Sequence, residues 1–536
     1  MHRTLISAFI AGTCLLSAPA WAQSLKIALS SEPTAIDPHY HDLTPNNALI
    51  AHIFDGLTKQ DENQKVLPNL ATSWENDGKT RWTFKLRQGV TFSNGQPFTA
   101  DDVIFSFCRT LKNETAIAGS FADITGNFTA VEAPDSHTIV ITTKAPDPLL
   151  PNFLSGLAIL SSSIVPHDKL AFDAAKNCGV TGTWPVVGDF NDGKLAIGTG
   201  PYKFKSYTKG TSVELERNDK YWGPAEPWAN VTFVPVPNAG PRLAGLLAGD
   251  YDVIENPAAR DVSRIRDDKR FGYVIMPSTR VIYFQLDVER EPSPFVKAEN
   301  GKNPLKDPRV RKAMSLAIDR DAIIKRIMDS AAEPAYQFLP NGMFGALANP
   351  PKLAYDPAAA KKLLAEAGYP NGFQLTLSTT NDRYINDSQI TQAVAQYLTQ
   401  VGIRSEVDAM ARAIYFPRRS KKEFSVALGG WGSTSGEASS FLRQWPATPD
   451  EAKTIGGSNY GGYNDPEFDK LIRTAIVTLD DAKRAEILQQ AGTKVLEGGA
   501  FIPLHFESTI WAYKANLKYA GRADQFTMAM QVKSAK

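Results

Sequence analysis

The sequence predicts an α/β protein of at least two lobes, and three observations carry that prediction. The 536-residue chain is 43% apolar, which is too apolar for disorder. It is also too long to fold around a single hydrophobic core. Strand-like and helix-like segments are interspersed along it, and no period recurs of the kind that a repeat array would impose.

Taken in order, Leu25 to Leu29 alternates and breaks at Ser30-Ser31-Glu32-Pro33, a strand running into a loop. Arg81 to Leu86 alternates again. Thr99-Ala100-Asp101-Asp102 caps a helix that carries Val103, Ile104, Phe105 and Phe107. Further strands are expected at 138–142, 212–216, 230–236, 273–276 and 280–286. Helices are expected at 241–248, 308–328, 356–367, 386–401, 465–477 and 481–496, several opening at Pro or Asp and one closing just before Gly368. Segments 160–198 and 287–306, rich in Gly, Pro, Asp and Lys, are candidate crossings between lobes.

At the N-terminus, Arg3 precedes the apolar run Leu5 to Leu16 and the small-residue site Ala20-Trp21-Ala22. This three-part pattern is that of a secretory signal peptide over residues 1–22, with Gln23 as the first mature residue. The apolar run is too short to span a bilayer. Cys14 offers a second reading as a lipidation site, but Thr13 suits that poorly and the apolar run continues past it. The leader takes with it Arg3 and no acid, leaving 57 basic against 57 acidic residues. A neutral chain without a Lys/Arg run is not expected to bind nucleic acid or an anionic membrane surface. Cys108 and Cys178 survive processing; in an oxidising compartment they either pair or remain two buried thiols, and the sequence leaves both open.

The chain shows no constellation for catalysis. None of its seven histidines form a helical i, i+4 metal pair, and His39 with His41 is too little for a zinc site. No G-x-S-x-G elbow, P-loop or G-x-G-x-x-G is present. Neither an enzyme nor a cofactor is expected.

Several blocks carry a family resemblance. Leu67-Pro68-Asn69-Leu70-Ala71-Thr72-Ser73-Trp74 is followed by Trp82 to Phe92 and by Asn94-Gly95-Gln96-Pro97-Phe98-Thr99-Ala100-Asp101-Asp102-Val103. Then come Gly198-Thr199-Gly200-Pro201-Tyr202, Glu216-Arg217-Asn218 with Tyr221-Trp222-Gly223, and Leu246 to Val253. Asp307 to Ala313 with Ala317-Ile318-Asp319-Arg320, Ala358 to Leu364 with Ala367 to Gly372, and Ile502-Pro503-Leu504 complete the series. Together they resemble the family-5 extracellular solute-binding proteins, the oligopeptide-, dipeptide-, glutathione- and nickel-binding components of ABC importers. Trp74, Trp82 and Phe84 read equally as core, and Gly89, Asn94 and Gly95 as turn residues, so the blocks mark a scaffold rather than a ligand.

The resemblance implies a two-lobed periplasmic binding protein with a hinge (type II, cluster C-like) plus an extra α/β domain. Lobe I would combine 23–52, 196–285 and 506–536, the extra domain would be 53–195, and lobe III 286–505. A ligand would sit between the lobes, and closure would present the loaded form to permease subunits at the inner membrane. A periplasmic monomer binding a peptide or peptide-like anionic small molecule is expected. An opine, glycan conjugate or metal chelate is the alternative on the same scaffold, and a secreted hydrolase the alternative from another class.

The resemblance also implies ligand contacts. In peptide-binding members a tryptophan is followed three residues later by an aspartate for the peptide's ammonium; here Trp431 is followed by Thr434. A neutral hydroxyl does not replace a carboxylate there. The glutathione-binding branch likewise has a hydroxyl residue at that place, and Glu437 is a candidate substitute acid, with a helix N-terminal acid as its ordinary reading. Dipeptide binders hold the ligand carboxylate with an arginine before a long helix. That places Arg383, in Asn381-Asp382-Arg383-Tyr384, in the same role, against a plain surface pair with Asp382 or Asp387. Arg280 and Tyr283, leading into the hinge, and Tyr40 and His41, after the first strand, are further candidates to face the cleft.

Overall fold

The computed structural model describes residues 24–117, 121–450 and 455–535. The expected leader, its cleavage site and Cys14 lie outside the described residues. Among the described residues no helix is long and apolar enough to cross a membrane.

β1 (Ser24–Leu29) opens the chain with Leu25 and Ile27 turned into the core. A short hairpin, β2 (Thr58–Gln60) and β3 (Val66–Pro68), leads to a four-stranded antiparallel sheet. This sheet comprises β4 (Ala71–Asn76), β5 (Arg81–Leu86), β6 (Phe128–Asp135) and β7 (Thr138–Thr143) in the order 4-5-7-6. In β5, Trp82, Phe84 and Leu86 point inward, as their alternation requires. The helix Ala100–Lys112 starts where Asp102 reaches back to accept from the Thr99 amide at 2.8 Å. Its Cys108 forms a disulfide with Cys178, the Cα atoms 6.3 Å apart. That settles the choice the sequence leaves open.

The chain then adds β8 (Tyr202–Thr208), β9 (Ser212–Arg217), β10 (Asn230–Pro235) and β11 (Val253–Glu255). β12 (Phe271–Leu286), β13 (Val296–Lys297), β14 (Ala332–Pro334), β15 (Phe373–Thr380), β16 (Ile403–Met410), β17 (Val426–Trp431) and β18 (Phe501–Lys514) follow. All belong with β1 to one large sheet of order 13-15-17-12-18-11-1-10-9-8, with β14 on β18 and β16 on β15. The antiparallel pair β12 and β18 runs from Phe271–Lys514 at one end to Gln285–Phe501 at the other. It joins the two halves of the molecule. Residues 160–198 bury Val165, Leu170, Val180 and Phe190, while Arg290 and Ser293 in 287–306 bond Asp287.

Two other expectations are corrected. The strands placed at 273–276 and 280–286 are one strand, because Pro277-Ser278-Thr279 produces a register shift between Pro277 and Val281 rather than an end. The helix placed at 308–328 is two, Pro308–Leu316 and Arg320–Arg326, because Asp319 accepts from the Ala322 amide and caps the second.

The buried apolar residues fall into three main clusters. The first is continuous from β1 (Leu25, Ile27) through β5 (Phe84) and the helix at 100–112 (Phe105) to Val231 and Trp511. The four-stranded sheet and the first half of the large sheet therefore share one core. Within it Arg109 grips Asp37 with two bonds of 2.7 and 2.6 Å, both side chains fully buried. The other two clusters lie on opposite faces of β12, with Ile282 and Phe284 on one and Val281 and Tyr283 on the other.

Candidate functional site

The site forms where β17 ends beside β12. Trp431 pairs with Val281 across the ladder, and the chain then leaves the sheet as the loop 432–437. Thr279, freed from regular pairing by the register shift, fastens this loop. Its hydroxyl accepts from the Ser433 amide at 3.1 Å and donates to the Ser433 carbonyl at 3.2 Å. From the other side the 60–64 turn reaches across. Gln60 Nε2 donates to the Thr434 carbonyl at 3.0 Å and Gln64 Nε2 to the Ser433 carbonyl at 2.7 Å, while Asn152 Nδ2 donates to the Ser435 carbonyl at 2.7 Å. The loop, the turn, Arg280 and residues 522–531 border a cavity of about 510 Å³.

Next to this cavity is a charged cluster. Glu507, buried on β18, accepts from the Ile385 amide at 3.1 Å and stands 3.6 Å from Arg280 Nε. Arg280 Nε also donates to Gln525 Oε1 at 3.1 Å. Burial raises the Glu507 pKa, opposed by Arg280. Burial lowers that of Arg280, opposed by Glu507 and reinforced by Arg383. Arg383 sits in the loop between β15 and the helix Asp387–Gln400. Asp387 shapes that loop by accepting from the Thr380 hydroxyl at 2.6 Å and from the Arg383 and Tyr384 amides at 3.1 and 3.2 Å. The exposed Arg383 guanidinium lies 4.9 Å from the Tyr384 ring and forms no ion pair among the described residues. The surface pair with Asp382 or Asp387 is therefore not formed. Asp387 spends its carboxylate on the loop, and Asp382 accepts from the Arg412 amide at 2.7 Å.

The structure brings together some of the candidates and disperses others. Arg280 and Thr434 both border the cavity. Trp431 is half-buried, its ring 5.4 Å from that of Phe441. Tyr384 donates from its hydroxyl to the Gly430 carbonyl at 3.3 Å, so its loop is tied to β17, and the Asn381 amide donates to the Met410 carbonyl. Tyr283 does not face the cleft; alternation along β12 sends it, fully buried, among Phe441, Trp445 and Phe501. Glu437 is not a free carboxylate at the site. It is buried, bonds the Ser439 hydroxyl at 2.7 Å and pairs with Arg484 at 3.2 Å, and burial raises its pKa against the pull of Arg484. Tyr40 and His41 are half-buried with rings 6.2 Å apart and do not border the cavity.

Glu507, Gln525, Gln60 and Gln64 went unmarked in the sequence. A signal exists only for Glu507, the one acidic residue of β18. The turn glutamines lie within a polar stretch that looks like any surface loop.

Comparison with known proteins agrees with this architecture. The glutathione-binding protein GsiB of Escherichia coli K12 is 28% identical over 526 residues, covering 96% of each chain. The dipeptide-binding protein of the same strain is 29% identical over 447 residues, covering 80% of this chain and 78% of its own. Among solved structures, the ABC transporter-associated periplasmic binding protein DppA of Helicobacter pylori, in complex with peptide STSA, superposes with a TM-score of 0.73. It is 23% identical, and the match covers 96% of this chain and 98% of the other. The model of the bacterial extracellular solute-binding proteins, family 5 Middle, matches residues 65–453. With nearly three-quarters of its length matched, this chain belongs to the family-5 bacterial extracellular solute-binding proteins.

Proposed function

We propose that this solute-binding protein captures a peptide or peptide-like ligand in the periplasm as a monomer and delivers it, chemically unchanged, to the permease of an ABC importer. Two of its relatives carry glutathione and dipeptides in their names, and both ligands have a carboxylate at one end and an ammonium at the other. The observation that carries the reading is Arg383: an exposed guanidinium beside Arg280, held in place through its own backbone, that forms no ion pair among the described residues. Such a group is positioned to clasp a ligand carboxylate with two parallel bonds. In this reading lobe I is 23–52, 196–285 and 506–536, the additional domain 53–195 and lobe III 286–505. β12 and β18 form the hinge, and Trp431 lines the closing cleft.

Native mass spectrometry of freshly purified protein, followed by calorimetry with glutathione and with di- and tripeptides, tests the proposal. A retained or titrated ligand of this class is expected. Hydrolysis of the panel, or binding of none of it, overturns the reading.

A further inference from the structure

Two amide oxygens at the cavity are buried without a donor. Gln64 and Asn69 are 4% and 3% exposed, both border the cavity, and neither Gln64 Oε1 nor Asn69 Oδ1 has a hydrogen-bond partner among the described residues. Their orientation is fixed by their nitrogens. Gln64 Nε2 donates to the Ser433 carbonyl, and Asn69 Nδ2 donates to Asp55 Oδ1 and the Gly56 carbonyl at 3.0 and 3.1 Å. Rotating either amide would set oxygen against oxygen, so the unmatched atoms are acceptors. Buried acceptors in a native protein find a donor.

The charge around them has the same preference. Asp61 spends Oδ1 on the Asn63 and Lys65 amides, leaving Oδ2 without a bond among the described residues. Glu62 beside it is exposed, and its carboxylate likewise accepts no hydrogen bond there. Both border the cavity. The nearby Arg522 is already bonded to Asp524 and to the Gln60 and Asp61 carbonyls, and Arg280 to Gln525 and Glu507. Lys59 is exposed.

We infer that this cavity is a subsite for a donor-bearing, cationic group of the ligand, an ammonium held by the 61–64 turn rather than by residue 434. The inference rests on the peptide-like reading above and deepens it. The turn lies directly against Thr434 through the Gln60 bond. It supplies the negative charge that the neutral threonine hydroxyl lacks. Arg383 would then hold the carboxylate end and the turn the ammonium end of one zwitterionic solute.

Calorimetry with trialanine, glutathione and their N-acetylated forms tests this on wild type, Asp61→Asn and Gln64→Met. Asp61→Asn removes charge while its remaining oxygen can still accept the turn's amides, so it reads the site even if Gln64→Met loosens the loop. Acetylation should weaken wild-type binding about tenfold or more, the loss expected for a charge-assisted bond, and cost each variant distinctly less. Equal binding of free and acetylated probes overturns the subsite and leaves peptide capture standing. A wild-type preference retained in both variants shows that the ammonium is held elsewhere and also overturns it. Binding of none of the probes overturns the peptide-like reading and the subsite with it.

Discussion

Arg280 on β12 and Glu507 on β18 face each other 3.6 Å apart across the two strands that join the halves of the molecule, their side chains 17% and 6% exposed. Arg383 adds a second positive charge to the same field. Glu507→Ala should therefore cost about 3 kcal/mol, because it strands the largely buried Arg280 guanidinium without its acid and beside a second positive charge. Glu507→Gln, which can still accept the Ile385 amide, should cost less. Urea unfolding measures both, and equal losses for the two variants would show that charge is not what matters here.

Arg383→Ala should behave oppositely. The guanidinium is exposed and forms no ion pair among the described residues, so thermal stability should stay within about 0.5 kcal/mol of wild type. Affinity for the retained ligand should fall by about 2–5 kcal/mol, the range for truncating one member of a buried charge pair. Calorimetry beside a melting curve separates the two effects. Unchanged binding would remove Arg383 from the site.

Replacing both Cys108 and Cys178 by serine should lower stability by about 4 kcal/mol, given their separation of 70 positions along the chain. Comparison of urea midpoints with and without reductant reads the same quantity in the native sequence. No change on reduction would mean that the bond is not formed in the purified protein.

Acid should weaken the fold through three buried histidines. Burial lowers the pKa of His39 to about 3 and those of His52 and His505 to about 4. Against an unfolded value near 6.5, the unfolded chain binds more protons as pH falls below about 6.5. Stability present above pH 6.5 is then lost progressively toward pH 4. His505 is the clearest case, since neither ring nitrogen has a partner among the described residues. His505→Leu should flatten the acid limb of a stability-versus-pH curve between pH 6 and 4, and a limb of unchanged slope would contradict this.

Legibility in the sequence tracked how each segment is buried. β5 was readable because it has one wet face, so Trp82, Phe84 and Leu86 alternate with polar residues, and the helix Ala100–Lys112, though buried nearly all round, because Thr99 with Asp102 marks its start. β17 and β18 were not found. Both are covered on two faces, and β18 carries Pro503 and His505 in mid-strand, which erases the period. The same two-sided burial misled the reading of Tyr283: its place on the strand was right, but the face it occupies packs Phe441 and not the cleft. Arg383 and Thr434 were reached through family resemblance, since nothing in local pattern distinguishes them. Gln64 could not be reached at all, because its meaning depends on Ser433, which lies 369 residues away.

The core shared by β1 and the four-stranded sheet changes how the molecule should be counted. The resemblance implies three units, yet Leu25, Phe84 and Trp511 belong to one apolar cluster and Asp37 is locked to Arg109 inside it. A cut between the early domain and its neighbouring lobe would open an interior rather than an interface. The four-stranded sheet and the first part of the large sheet therefore share one interior, while the strands beyond it pack the two other clusters. A cavity-creating substitution at Phe84 would be felt at the first strand of the chain, whereas one at Leu428, in a separate cluster, would leave that strand's packing untouched.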